Sequence, residues 1–112
     1  ARLDAAGIFV ETFHAESAPG QFEMVLPKAP VLEAVDALVH ARSVLACCAK
    51  AQGYKMTLHP KPYATAPGTA SHVHMSISSP GGHEPQVYEP FYSGILNHLQ
   101  AVMAFTFPSP VS

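Results

Sequence analysis

Two glutamates stand on either side of a short turn signal near the start of the chain, where they could share a cation. The segment ESAPGQFE places Glu16 and Glu23 around the dipeptide Pro19-Gly20. With this dipeptide at the centre of a β-turn, counting outward puts Glu16 opposite Glu23, and like charges placed in this way destabilise a hairpin. Because Pro-Gly favours a type II turn, which suits two-residue hairpins poorly, a wider loop is also open.

The acidic pair has no basic partner nearby in the sequence, since no Lys or Arg lies between Arg2 and Lys28. A divalent cation bound by both carboxylates would supply the missing positive charge. The alternative is a pair of solvent-exposed acids on a hairpin, and exposed charges of this kind contribute little to stability. The spacing alone leaves both interpretations open.

Two histidines one residue apart form a second candidate site. The segment 72–79 alternates polar and apolar residues as a strand does, which puts His72, His74 and Ser76 on one face. This spacing suits a metal ligand next to a second group aimed at the same ligand. Carboxylates together with a single imidazole suit Mg²⁺ or Mn²⁺ better than zinc. The alternative is a polar strand face with hydrogen-bonded histidines.

Two residues in the loops before this segment could also contact a ligand. Lys61 lies between Pro60 and Pro62, which stiffen the backbone on both sides of it. A cation held there could meet a phosphate or a carboxylate, although a solvated loop lysine is the common case. Gly68 lies in the loop that leads to the histidines, and a glycine permits close approach of the backbone to a ligand.

Composition limits the classes of function that the chain can have. It has 112 residues, 48% of them apolar and 12% charged, with a net charge of -2. This length fits one small domain, and the apolar content excludes a disordered chain. Because no basic cluster occurs, nucleic acids and membrane surfaces are poor candidates as partners. The low charge content indicates that something else covers much of the surface.

Cysteine use and the absence of targeting signals predict a cytoplasmic protein. Cys47 and Cys48 are adjacent within a helical pattern and point in different directions, so we expect no disulfide between them. Reduced cysteines of this kind fit the cytosol. We find no signal peptide and no apolar run long enough to span a membrane.

The periodicity predicts an α+β fold, with an antiparallel sheet and helices packed on one face of it. Four segments have the character of strands: 7–14, 21–26, 54–58 and 72–79. A helix is expected from Pro30 to Gly53, helical spacing recurs over 91–107, and loops are expected at 62–71 and 80–90. The predicted apolar stripe of the first helix is Val31, Val35, Leu38, the stem of Arg42, Leu45 and Ala49.

The order of these motifs resembles the catalytic domain of glutamine synthetase over essentially all 112 residues. The pattern of that family runs acid, Pro-Gly-Gln, acid, an alanine-rich helix, Pro-Lys-Pro and then His-x-His-x-Ser. This chain has ESAPGQFE, a helix, HPKP, a glycine-containing loop and HVHMS in the same order. It is most similar to the divergent glutamine synthetase-like branch of fungi and bacteria, some members of which act on amines other than ammonia.

The resemblance implies a site with two divalent ions, Mg²⁺ or Mn²⁺. By this resemblance, Glu16 and Glu23 hold one ion, and His72 binds the second ion beside the phosphates of ATP. In the family, the side-chain carboxylate of glutamate attacks the terminal phosphate of ATP, and ammonia or an amine then displaces phosphate from the γ-glutamyl phosphate. Two anions must approach each other, so the reaction depends on positioning and on neutralisation of charge.

The resemblance also implies residues that contact the substrates. His74 corresponds to a histidine beside the nucleotide phosphates, and Ser76 to a residue near the nucleotide. Gly68 corresponds to a glycine whose backbone contacts the substrate glutamate, and Lys61 has a structural or an electrostatic role. The implied partners are glutamate, ATP and ammonia or an amine, and the implied assembly of the parent protein is a homo-oligomeric ring.

Several parts of the family's site are not found in this chain. They are a Glu-x-Glu pair on an earlier strand, downstream arginines with another metal-binding Glu, and an N-terminal domain that completes each site between subunits. The chain also begins without Met. We therefore expect residues 1–112 to be the central fragment of a glutamine synthetase-type catalytic domain, inactive as an isolated piece. The alternative is a non-enzymatic glutamine synthetase-like pseudoenzyme or a truncated structural product.

Overall fold

A computed structural model describes residues 2–107 and 109–110, and these contain both helices and an antiparallel sheet. In chain order the elements are α1 (Arg2–Ala5), β1 (Thr12–Ala15), β2 (Phe22–Val25), α2 (Val31–Ala51), α3 (Pro85–Asn97) and α4 (Leu99–Thr106). The α+β class predicted from the sequence is confirmed. The chain divides into two compact units, residues 1–69 and residues 70–112.

The sheet of the first unit is an antiparallel hairpin of β1 and β2. The Gln21 N–H donates to the Ala18 carbonyl at 3.0 Å, so Pro19 and Gly20 occupy the centre of a β-turn, as predicted. Gly20 has φ of 71°, the left-handed conformation that the third position of a type II turn requires.

The loop of this hairpin is wider than the β-turn alone. The Glu16 N–H donates to the Gln21 carbonyl at 2.9 Å, so residues 17–20 form the connection. His14 is then paired with Glu23, and Ala15 is paired with Phe22. The predicted direct pairing of Glu16 with Glu23 is wrong, because it assumed a two-residue loop.

The other face of the hairpin is aromatic. Phe13 and Phe22 stack with ring centroids 5.3 Å apart and planes 7° from parallel. They come from diagonal positions of the ladder, where long and aromatic side chains can still touch. Both rings remain more than half exposed, so the stack is a surface feature of this chain.

The remaining predicted strands are shorter than expected or absent. Strand pairing begins only at Thr12 within the predicted segment 7–14, and 21–26 contains β2. The segments 54–58 and 72–79 have no regular secondary structure. Alternation of side chains is not sufficient for a strand, because the backbone groups also need a neighbouring strand for their hydrogen bonds.

The helix predicted between Pro30 and Gly53 is confirmed as α2. It ends in a Schellman motif: the N–H of Gly53 donates to the Lys50 carbonyl, and that of Tyr54 to the Ala49 carbonyl. Gly53 has φ of 78°, the left-handed conformation that this motif needs.

The inward face of α2 differs from the predicted stripe. Helix α2 contacts α1, and its one fully buried side chain among the described residues is Ala41. Val31, Val35 and Arg42 of the predicted stripe are exposed. The half-buried positions around Ala41 are Ala34, Ala37, Leu38, Val44, Leu45, Cys48 and Ala49. Small side chains thus dominate the inward face, because only they permit another segment to approach the helix closely.

The second unit contains helices α3 and α4, which contact each other. The helical pattern at 91–107 is confirmed, although the helices part at His98. The predicted loop 80–90 is wrong in its second half, since α3 begins at Pro85 and continues through Pro90. Proline at the first helical position loses no hydrogen bond and has a suitable φ, so Pro85 starts a helix rather than preventing one.

Little of the apolar surface is buried in either unit. Among the described residues, the buried hydrophobic side chains are Ile8, Ala18 and Ala41. Large apolar side chains such as Leu32 and Phe105 are 80% and 87% exposed. Hydrophobic burial is the main favourable term in folding, so this chain has little of it to stabilise its units. Within the described residues, no helix combines the length and apolarity needed to cross a membrane.

The close packing around Ala41 predicts that this position does not tolerate a larger side chain. We expect Ala41→Leu to lower the free energy of unfolding by about 1–3 kcal/mol, because overpacking forces neighbouring atoms apart. Ala46→Leu is the matched control, since Ala46 is exposed on the same helix and its replacement should change stability by less than about 0.5 kcal/mol. Urea unfolding followed by circular dichroism measures both, and equal effects would contradict the packing described for Ala41.

Candidate metal and ligand site

The imidazole of His14 lies between the two glutamates of the hairpin. Its Nδ1 is 3.2 Å from Glu16 Oε1, and its Nε2 is 3.5 Å from Glu23 Oε1. The ladder explains this arrangement, because His14 is directly opposite Glu23 and Glu16 follows two residues later on the same face. The two carboxylates are therefore diagonal neighbours with an imidazole between them.

These three side chains form a donor set that a divalent cation could use. One ligand atom from each lies within 4.8 Å of the others, and no other group of three His, Cys, Asp or Glu in the described ranges converges so closely. Two ligands of one ion, each about 2.1 Å from it, lie at most about 4.2 Å apart, so an ion requires a contraction of about half an ångström. The side chains are 35–44% exposed and have room for that adjustment. The residues therefore fit a small divalent ion.

The sequence predicted that Glu16 and Glu23 share a site, but it did not predict that His14 lies between them. The signal for His14 was its position two residues before Glu16 in a segment with strand character, since alternate residues of a strand share a face. Counting outward from a two-residue turn hid this signal, because it placed His14 opposite Val25 rather than Glu23. The metal-binding roles of Glu16 and Glu23 stay predictions.

Gln21 joins the turn of the hairpin to the loop that contains Gly68. Its Oε1 accepts the N–H of Ala18 at 3.1 Å, and its Nε2 donates to the Gly68 carbonyl at 2.9 Å. A single side-chain amide thus satisfies one backbone group on each of two segments that are far apart in the sequence. Gln21 therefore positions the Gly68 loop beside the hairpin within the first unit.

The loop around Lys61 is closed by its own hydrogen bonds. The Thr69 N–H donates to the Pro60 carbonyl at 2.7 Å, which brings the two ends of the loop together. Lys61 Nζ donates to the Ala66 carbonyl at 2.6 Å and spans the loop from inside. Lys61 thus makes a hydrogen bond within its own loop, and its structural or electrostatic role stays a prediction.

Gly68 lies where a side chain would collide with the backbone. A Cβ atom at this position would be 2.8 Å from the Pro60 carbonyl oxygen, closer than real Cβ atoms approach. The same oxygen accepts the hydrogen bond from Thr69, so it cannot move away without loss of that bond. Close packing of the loop explains the glycine, and its contact with substrate glutamate stays a prediction.

The remaining predicted site residues belong to the second unit. His72 and His74 have exposed side chains in a segment without regular secondary structure. Ser76 lines a shallow pocket of about 360 Å³ together with Tyr88 and Tyr92. The Tyr92 hydroxyl donates to the Met75 carbonyl at 3.0 Å and fixes one wall of that pocket. The metal role of His72 and the nucleotide roles of His74 and Ser76 stay predictions.

The steric environment of Gly68 predicts a specific defect. We expect Gly68→Ala to displace the Pro60 carbonyl, lower stability by about 1–3 kcal/mol and speed hydrogen exchange at the Thr69 amide. Gly94→Ala is the control, because Gly94 is helical, a Cβ there has nothing within 4 Å, and alanine is the better helix former. If the Thr69 amide exchanges hydrogen at the same rate in Gly68→Ala as in the wild type, the loop accommodates the methyl group and the prediction is wrong.

Comparison with known proteins identifies relatives along nearly the whole chain. Protein fluG of Emericella nidulans is 47% identical over 110 residues, which cover 98% of this chain and 12% of that protein. The glutamine synthetase of Mycolicibacterium smegmatis is 36% identical over 114 residues, which cover 93% of this chain and 26% of that enzyme. The gamma-glutamylpolyamine synthetase GlnA3 of Streptomyces coelicolor is 32% identical over 123 residues, which cover 100% of this chain and 26% of that protein.

The chain thus spans between 12% and 26% of the length of these relatives. No solved structure matches it. The pattern of the glutamine synthetase catalytic domain matches all of residues 1–112. Together with the ordered motifs around Glu16, Glu23 and His72, this match shows that the chain belongs to the glutamine synthetase catalytic domain family, which includes ligases such as glutamine synthetase.

Proposed function

We propose that this chain is the central segment of an ATP-dependent ligase that joins the γ-carboxylate of glutamate to ammonia or an amine through γ-glutamyl phosphate. The observation that carries this proposal is the convergence of Glu16 and Glu23 on one face of the hairpin, in a chain of this family. A cation bound by both carboxylates would give this pair a function, and phosphoryl transfer between two anions requires such a cation.

In this proposal Glu16 and Glu23 hold one Mg²⁺ or Mn²⁺, and His72 holds a second. The bound ions would supply positive charge that neutralises the phosphate oxygens of ATP. The contribution of the chain itself is to fix the two carboxylates before any ligand arrives, because the hairpin ladder sets their spacing. His74 and Ser76 are the proposed contacts for ATP.

The Gly68 loop is the proposed contact for glutamate. The hydrogen bond from the Gln21 amide holds the Gly68 carbonyl in place, so the backbone of this loop is positioned before a ligand arrives. The hydrogen bonds of Pro60 and Lys61 keep the loop closed, so little ordering is left to be done when a ligand binds.

The acceptor in this proposal is ammonia or a larger amine. The relative from Streptomyces coelicolor is named a gamma-glutamylpolyamine synthetase, whereas the relative from Mycolicibacterium smegmatis is named a glutamine synthetase. A cytoplasmic location and a homo-oligomeric ring of the parent protein belong to the same proposal.

A non-enzymatic structural product of the family is the second candidate. The observation that favours it is the exposure of the site, since His14, Glu16 and Glu23 are 35–44% exposed in this chain. Efficient phosphoryl transfer requires a site from which water is excluded. The same exposure supports the proposal that residues 1–112 do not catalyse the reaction by themselves.

Inactivity of the chain alone is directly testable. We expect the purified 112-residue chain to form no γ-glutamyl hydroxamate from glutamate, ATP and hydroxylamine in the presence of Mg²⁺ or Mn²⁺, because water is not excluded from the site. The glutamine synthetase of Mycolicibacterium smegmatis serves as the positive control. Hydroxamate formation by the chain that is lost in Glu16→Gln would overturn the proposed inactivity and leave the ligase assignment intact.

The cation site has its own test. Loss of even an outer-shell partner costs about 10–100-fold in metal affinity, so we expect Glu16→Gln and Glu23→Gln each to weaken Mn²⁺ binding by about tenfold or more. The matched control is Glu89→Gln, since Glu89 is an exposed glutamate outside the converging group. Calorimetric titration measures all three. Equal affinities in the wild type and both site variants would remove the metal assignment.

A further inference from the structure

We propose that His14 is a third ligand of the cation site and favours Mn²⁺ over Mg²⁺ there. This inference rests on the proposed cation site at Glu16 and Glu23 and adds a residue and a metal preference to it. It begins from the position of the imidazole, which lies 3.2 Å from the carboxylate of Glu16 and 3.5 Å from that of Glu23.

The hydrogen bonds of His14 leave one ring nitrogen available as a ligand. Nδ1 has the Ala15 carbonyl as an acceptor at 3.3 Å. This acceptor favours the proton on Nδ1, so that Nε2 keeps its lone pair. Histidines that bind metals generally donate their other N–H to a carbonyl or a carboxylate in this way, which fixes the tautomer and the orientation of the ring.

The unprotonated nitrogen lies close to the carboxylate of Glu23. Nε2 is 3.5 Å from Glu23 Oε1. Adjacent ligands of an octahedral ion, each at about 2.1 Å, lie roughly 3 Å apart, so this pair is close to the separation that one ion requires. Glu16 completes the set, since one ligand atom from each of the three residues lies within 4.8 Å of the others. The three side chains therefore form a mixed set of two oxygens and one nitrogen.

A nitrogen ligand discriminates between the two candidate ions. Mg²⁺ is a hard ion that prefers oxygen, demands a near-ideal octahedron and keeps several waters. Transition ions, including Mn²⁺, gain more from imidazole, and their geometry is more tolerant. His14 should accordingly raise the affinity for Mn²⁺ and add little to that for Mg²⁺. The ratio of the two affinities is the quantity that His14 controls.

The test compares metal binding by the full 112-residue chain and three variants. His14→Gln keeps a polar side chain but removes the imidazole. The first control is His83→Gln, because His83 also contacts a glutamate, Glu84 at 3.0 Å, but has no second carboxylate. The second control is His72→Gln, which removes the histidine assigned to the other ion. Calorimetry gives the affinities for Mn²⁺ and Mg²⁺, and pulsed electron paramagnetic resonance detects an imidazole nitrogen on bound Mn²⁺.

The proposal expects a selective loss. His14→Gln should weaken Mn²⁺ binding by about tenfold, change Mg²⁺ binding by less than about threefold, and abolish the imidazole signal of the hairpin site. His83→Gln should keep both the Mn²⁺ affinity and the signal of that site, and His72→Gln, which loses the proposed ligand of the other ion, should keep the signal of that site. Circular dichroism establishes that each variant retains the helices of the wild type.

The contrary outcomes separate this inference from the proposed function. An imidazole signal that survives in His14→Gln and disappears in His72→Gln overturns the role of His14 and leaves the carboxylate site standing. Equal weakening of Mn²⁺ and Mg²⁺ overturns the metal preference. Absence of Mn²⁺ binding by the wild type overturns both the site and this inference. If His14→Gln fails to fold, an imidazole signal that persists in His72→Gln supports the proposal, and its absence from the wild type overturns it.

Discussion

The width of the turn between β1 and β2 decides which side chains of the hairpin face one another. A two-residue loop would place Glu16 directly against Glu23, with repulsion between the two carboxylates. The observed loop, residues 17–20, shifts the register by two positions and inserts His14 opposite Glu23. Because the shift is an even number, both glutamates keep the same face. The turn thus converts a repulsive contact into a three-membered donor set.

The Gly68 loop depends on the same turn. Gln21 is the last residue of the β-turn, so the turn fixes where its side-chain amide lies. Ala18, which donates its N–H to that amide, is 5% exposed and is one of the buried residues of the first unit. From this position the amide donates a hydrogen bond to the Gly68 carbonyl. It thereby positions the loop that the hydrogen bonds of Pro60 and Lys61 close. One side chain therefore makes the position of the Gly68 loop depend on a turn that lies 47 positions earlier in the sequence.

Features that depend on nearby residues could be predicted from the sequence, and features that depend on distant partners could not. Helix α2 and its end at Gly53 follow from helical spacing and from the conformational freedom of glycine, both of which are local. The segment 72–79 alternates as a strand does, but no alternation can supply a neighbouring strand. The partner of His14 depends on the loop width, and the residues ESAPGQFE allow more than one width. The inward face of α2 depends on what lies against it, which is why Ala41 rather than Val35 is buried.

The aromatic stack behind the hairpin has a consequence for the ionic groups in front of it. Phe13 and Phe22 alternate along the strands with His14 and Glu23, so the hairpin is apolar on one face and carries ionisable groups on the other. A register shift of one residue would place a glutamate on the aromatic face, next to a phenyl ring, and would separate the three candidate ligands. The two phenyl rings, which contact no cation themselves, thereby hold the two strands in the register that keeps the carboxylates together.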